Sequence, residues 1–182
     1  MIQVVAFTIA STLIAYISRK SLFHPRSHGF YRFFAWESIL ALVLLNTSQW
    51  FTNPTSSHQL ISWLFLLISI FLVTYGVHLL RVIGKPNQNR PDDELLTFEK
   101  TSTLVTIGAY KYIRHPLYSS LLFLTWGAFF KHFSWPGLLL ASFSTLFLFL
   151  TARNDESECL KHFGNAYQTY MQGTKRFVPF LF

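Results

Sequence analysis

The residues of this chain that can do chemistry fall into two short groups. The first is the stretch 108–118, which reads Gly-Ala-Tyr-Lys-Tyr-Ile-Arg-His-Pro-Leu-Tyr and leads into an apolar run. Pro116 disfavours the helical conformation for His115 and suits the first turn of a helix, so a helix is expected to begin there with His115 extended just outside it. The first-turn amides of such a helix lack internal partners and sit at the positive end of its dipole. With Arg114 beside them as a forked, permanently charged donor, they make a site for a carboxylate or phosphate. The same residues also suit an interfacial anchor, with Arg114 snorkelling and the tyrosines in an aromatic belt.

The second group is acidic. Residues 153–171 read as a helix in which Glu156, Leu160, Phe163, Tyr167 and Tyr170 share one face. A carboxylate on an apolar face needs a partner: an arginine, a tyrosine, a backbone amide or a bound ammonium. Asp155 lies one position round, and Glu158 is expected to face water. The bland alternative is an amphipathic helix lying on the membrane, its acidic start complementing its own dipole. The basic segment Thr174-Lys175-Arg176-Phe177-Val178-Pro179 follows and suits anionic headgroups.

The elements that must position these groups are apolar. Of 182 residues, 51% are hydrophobic and 18% aromatic, and only 13% are charged, which is the composition of one integral membrane domain, 1–182, rather than of a soluble one. The net charge of +7 argues for topology and against nucleic acid, because the basic residues lie between apolar runs instead of along one soluble face. The single cysteine, Cys159, excludes an intramolecular disulfide and a cysteine-cluster metal site.

Residues 2–18 are uncharged and are followed by Arg19 and Lys20, the reverse of a secretory signal, so they read as a retained span. The connector 19–32 carries His24 and His28. Their spacing would suit a metal on a helix, but Pro25 and Gly29 argue for a surface loop, and no metal site is expected. A second span follows over about 33–51, with Glu37 near its basic end placed for an interfacial salt bridge and Asn46 and Gln49 near the other. The third is 60–80, whose His78 and Arg81 share a face at its basic end.

Residues 84–94 form a polar loop by their prolines and amides. Leu95, Leu104 and Val105 indicate that the segment after it packs on the membrane surface or on the catalytic end of the bundle. Two shorter runs, 117–130 and 136–152, complete a count of about five spans. Alternating connectors put every Lys and Arg except Lys131 on one side. By the positive-inside rule the N-terminus faces out, and the stretch 108–118 and the C-terminal helix share the cytoplasmic side.

Together the two groups resemble the superfamily of isoprenylcysteine carboxyl methyltransferases and phospholipid methyltransferases. The resemblance rests on Gly108, Tyr110, Tyr112, Arg114, His115, Pro116 and Tyr118, and on Asp155-Glu156, Leu160, Phe163-Gly164, Tyr167, Tyr170 and Pro179. It departs from that pattern at Ala109, Ser120 and Asp155, where the family often has Pro, Gly and Glu. The resemblance implies an all-α transmembrane bundle with a cofactor-binding core over 101–182 and a variable part over 1–100. It also implies S-adenosylmethionine as methyl donor and a lipid or isoprenoid-type acceptor reached from the bilayer.

Its cofactor-binding residues would be Tyr110, Tyr112, Arg114, His115, Pro116, Tyr118, Asp155 and Glu156, with Arg114, His115 and Tyr118 at the reaction. Asp155 is shorter than the family's usual glutamate, so Glu156 is the expected contact for the donor's ammonium, with Arg114 for its carboxylate. Sterol reductases that use NADPH carry a similar Arg-His-Pro-x-Tyr stretch, usually with Asn after the proline, where this chain has Leu117. A scaffold of the same fold without chemistry is the remaining alternative.

Overall fold

The structure, a computed structural model, describes residues 1–86 and 95–179. It is all helical, with isolated bridges in place of strands among the described residues. The helices are α1 (Ile2–Leu22), α2 (His28–Leu45), α3 (Ser57–Val82), α4 (Pro116–Phe129), α5 (Trp135–Phe163) and α6 (Asn165–Gly173). Three of them, α1, α3 and α5, are long and apolar enough to cross a membrane; α2 has 18 residues and α4 has 14. Most of the polar loop expected at 84–94 lies outside the described residues, as do Phe180 to Phe182.

Local chemistry sets the helix starts. Ser27 caps α2 by accepting from the Phe30 amide at 3.2 Å. Ser134 does the same for α5 through Gly137, with Pro136 in the first turn. Pro116 opens α4, leaving His115 outside it at φ −123° and ψ 63°.

The bundle packs α2 against α1 and α5, and α3 against α4. Small and aliphatic residues such as Ala35, Leu42, Leu148 and Ala152 are fully buried between them. Buried side chains bond across helices, Asn46 Nδ2 to the Ala128 carbonyl at 2.8 Å and Ser62 Oγ to the Gly127 carbonyl at 2.7 Å, which supplies the interhelical hydrogen bonding available where water is scarce. At the end of the bundle away from residues 108–118, the ammonium of Lys131 lies 3.4 Å from the Trp63 ring centroid and 2.9 Å from Gln59 Oε1.

Four expectations need correction. His28 does not lie in a surface loop: it is the first residue of α2, because Ser27 supplies the cap and Glu158 holds the His28 amide at 2.9 Å. Glu158 for the same reason faces α2 and not water. The C-terminal helix expected over 153–171 is not one element, since α5 runs unbroken from the apolar run to Phe163 and stops at Gly164 (φ 57°). That backbone conformation favours glycine, and α6 starts in a new direction after it. Glu37 has no ion pair among the described residues, and its Oε1 is buried without a hydrogen bond.

Candidate active site

The break at Gly164 turns α6 back over the stretch 108–118. Residues 174–177 then run beside 112–115 like a short strand pair: the Arg114 amide donates to the Lys175 carbonyl at 2.7 Å, and the Lys175 amide to the Tyr112 carbonyl at 3.1 Å. Ser119 Oγ on α4 donates to the Phe177 carbonyl at 2.7 Å. The tail thus pins the start of α4 to the end of α5, where the acidic pair lies.

Glu156 is the hub of an ion cluster. Its Oε1 accepts from Arg114 Nε at 2.9 Å and Arg176 Nε at 3.0 Å, and its Oε2 accepts from Arg176 Nη2 at 2.7 Å. Nε2 of His115 approaches the same Oε1 at 3.4 Å. Arg114 Nη1 donates further to the carbonyls of Thr174 and Met171 at the end of α6, where helix carbonyls lack internal partners.

Asp155 is placed differently. Its Oδ2 lies 3.4 Å from His115 Nδ1 and its Oδ1 accepts a weak bond from Cys159 at 3.5 Å. Its side chain lines a cavity of about 100 Å³ together with Arg114, His115, Tyr118, Tyr110 and Tyr167. His115 stacks on Tyr118 at 5.2 Å between ring centroids. The Tyr170 hydroxyl ties α6 to the Tyr110 carbonyl at 2.6 Å. Burial alone would push His115 down, but its hydrogen bonds to Asp155 and Glu156 outweigh it and raise its pKa above the usual histidine value. Burial pushes the phenols of Tyr110, Tyr167 and Tyr170 up, and they remain neutral.

The far wall of the cavity comes from residues that sequence reasoning missed. Glu158 accepts from both the His28 backbone amide and Nδ1, the latter at 2.6 Å. The other ring nitrogen lies 3.7 Å from Glu99, which also binds Arg32 at 2.5 Å. His28, Glu99 and Glu158 all line the cavity, and Leu95, Leu104 and Val105 cover it from the same loop as Glu99. His28, Asp155 and Glu158 bring candidate metal-ligand atoms within 4.8 Å of one another. Glu158, however, uses both oxygens on His28, so the trio acts as a clamp between α2 and α5. The His28 and Arg32 pair, four apart on one face of α2, was the available signal.

Glu99 also carries a pH dependence. Burial would raise its carboxyl, but the Arg32 charge and the His28 hydrogen bond outweigh that and hold it at about 2. The folded value lies below the unfolded one, so the stability this group contributes is present above the unfolded value of 4.5 and is lost as pH falls toward 2. Glu99→Gln is expected to lower the thermal midpoint at neutral pH and to flatten its fall over that acid window. Circular dichroism in detergent across the window checks this, and an unchanged acid slope would remove Glu99 from the account.

Of the cofactor-binding residues expected from sequence, the cavity therefore gathers Tyr110, Arg114, His115, Tyr118 and Asp155, beside Phe163, Tyr167 and Tyr170 of the second group. Glu156 lies behind them in the ion cluster, and Pro116 is buried at the helix start. Tyr112 is 49% exposed and is not among the lining residues. His78 and Arg81 do not line the cavity either.

Neither a curated protein nor a solved structure matches the chain significantly. Residues 57–166 match the phospholipid methyltransferase family model, and this match, which spans α3 to the start of α6 and covers more than half of the chain, makes the protein a member of that family of membrane methyltransferases.

Proposed function

We propose that the protein transfers a methyl group from S-adenosylmethionine to an apolar acceptor that enters from the bilayer, with the cofactor cavity on the cytoplasmic side. The observation that carries this reading is the convergence of the Asp155 carboxylate and the Arg114 guanidinium on a single cavity walled by tyrosines, whose other carboxylates, Glu99 and Glu158, are taken up by Arg32 and His28. An amino-acid zwitterion needs an anion and a cation held apart in one site, and a sulfonium with an adenine needs aromatic surfaces. The donor set here meets both needs.

In this reading Asp155 takes the ammonium, while Arg114 and the first turn of α4 take the carboxylate. Tyr110, Tyr118 and Tyr167 border the sulfonium and adenosine. Glu156 holds Arg114 and Arg176 in place and sets the orientation of His115. Pro116 acts through the helix start alone, and exposed Tyr112 has no part in the cavity.

When bound, S-adenosylmethionine supplies an electrophilic methyl group, and the electron pair of the broken carbon–sulfur bond stays on sulfur. The chain's own contribution is alignment and exclusion of water, which in-line displacement at carbon needs most. His115, set between Asp155 and Glu156 at 3.4 Å from each, orients the Asp155 carboxylate toward the cavity. Five spans with the N-terminus outside, the distribution of Lys and Arg implies, put the cavity in the cytoplasmic leaflet.

Full-length protein in liposomes, given S-adenosylmethionine with a labelled methyl group, is expected to put the label into a lipid-extractable product. Label that stays wholly in the aqueous phase while the folded protein binds the cofactor would overturn the apolar acceptor.

A further inference from the structure

The C-terminal segment borders two further concavities. On one side lies a groove of about 280 Å³ between α3, α4 and α5. Its lining is almost wholly apolar and includes Phe65, Phe123, Trp126, Phe149, Phe177 and Val178. On the other side is an open polar cleft of about 390 Å³ that contains Arg114, Lys175 and Arg176 and the end of α6. The two meet at Arg176 and Phe177, which are adjacent in the chain, and the Arg176 guanidinium stacks 5.0 Å over the Phe149 ring of the groove.

The cleft carries uncommitted positive charge. Arg114 uses Nε and Nη1, and Arg176 uses Nε and Nη2, on Glu156 and the α6 carbonyls. Nη1 of Arg176 makes no hydrogen bond among the described residues and Lys175 is exposed, whereas the remaining nitrogen of Arg114, Nη2, is the one left for the cofactor's carboxylate. Three cations around the one carboxylate of Glu156 leave the cleft net positive. An apolar groove joined to a cationic cleft is complementary to an anionic amphiphile, its charged group among the arginines and its chain against the phenylalanines.

This place differs from the reaction cavity. The groove shares no lining residue with the cavity, and the cleft shares only Arg114. Neither Asp155 nor the tyrosines of the cavity line the cleft, so a group seated there is an anchor and not the reacting atom.

We propose that residues 174–178 build a lipid site distinct from the reaction cavity, which holds an anionic phospholipid by its phosphate in the cleft and one chain in the groove. Because Arg114 and Arg176 are shared with the Glu156 cluster, the lipid stabilises the geometry on which the cavity depends. The site favours an anionic over a zwitterionic headgroup, since the net positive cleft has no carboxylate free to receive a headgroup cation.

The test uses the full chain in detergent, offered phosphatidylglycerol, phosphatidylcholine or inorganic phosphate. Lipid retention is read by native mass spectrometry and stability by thermal unfolding. Wild-type protein is expected to retain phosphatidylglycerol roughly tenfold better than phosphatidylcholine and to gain thermal stability from it. Lys175→Glu, a surface change, should abolish that preference, and Val178→Glu should weaken retention of both lipids. Equal retention of the two lipids, a preference that survives Lys175→Glu, or a stability gain reproduced by inorganic phosphate alone would each overturn the proposal.

Discussion

Asp155→Asn is expected to weaken S-adenosylhomocysteine binding by roughly tenfold to a hundredfold while leaving the fold intact. The magnitude is that of one charge-assisted hydrogen bond to the ligand's ammonium. The fold should survive because the partners of Asp155 are a 3.4 Å approach to His115, a weak bond from Cys159 and a hydrogen bond with Tyr118, and the amide oxygen of asparagine can still accept from these donors. Titration calorimetry of both forms measures the loss, and unchanged affinity would remove Asp155 from the cofactor site.

Glu156→Ala should behave in the opposite way. This carboxylate compensates Arg114 and Arg176 and approaches His115, with its own side chain only 6% exposed. Removing it strands two guanidiniums in a crowded, partly desolvated place, and taking one partner from a buried ion pair costs on the order of 3–5 kcal/mol. The expected result is a large drop in thermal midpoint in detergent, with cofactor affinity falling only as a consequence of the disturbed Arg114. If Glu156→Ala instead unfolds like wild type and fails to bind the cofactor, the ammonium contact is Glu156, as its position on the apolar helix face suggests from sequence alone.

The contrast between these neighbouring carboxylates shows what a linear reading can and cannot reach. The start of α4 was legible because Pro116 acts on its immediate neighbours, and the stretch around Arg114 could be recognised without knowing what it touches. The pairing of that stretch with Asp155 and Glu156 followed from the resemblance. Which of the two faces the cavity did not, because it depends on how α6 and residues 174–177 fold back after Gly164. Nothing local to Glu156 announces that Arg176 will claim its second oxygen.

The opposite wall was hidden for a similar reason. His28 and Glu158 are separated by most of the chain, and neither has a sequence neighbour that requires the other. Pro25 and Gly29 suggested a loop, whereas the Ser27 cap and the long-range bond to Glu158 make His28 the first residue of a helix. The charges after Ala152 looked like the end of a span. Because Asp155, Glu156 and Glu158 all find partners in the tertiary fold, α5 continues through them to Phe163. The first hundred residues, expected to be the variable part, supply His28 and Glu99 to the cavity, so the site is built from both halves of the chain.

The most direct test of the central claim is a calorimetric titration of the folded, detergent-solubilised protein with S-adenosylhomocysteine, beside a parallel titration with NADPH. Saturable binding of S-adenosylhomocysteine at one site, with NADPH silent, is the predicted result. Binding of NADPH instead, or of neither by protein that keeps its thermal unfolding transition, would contradict it.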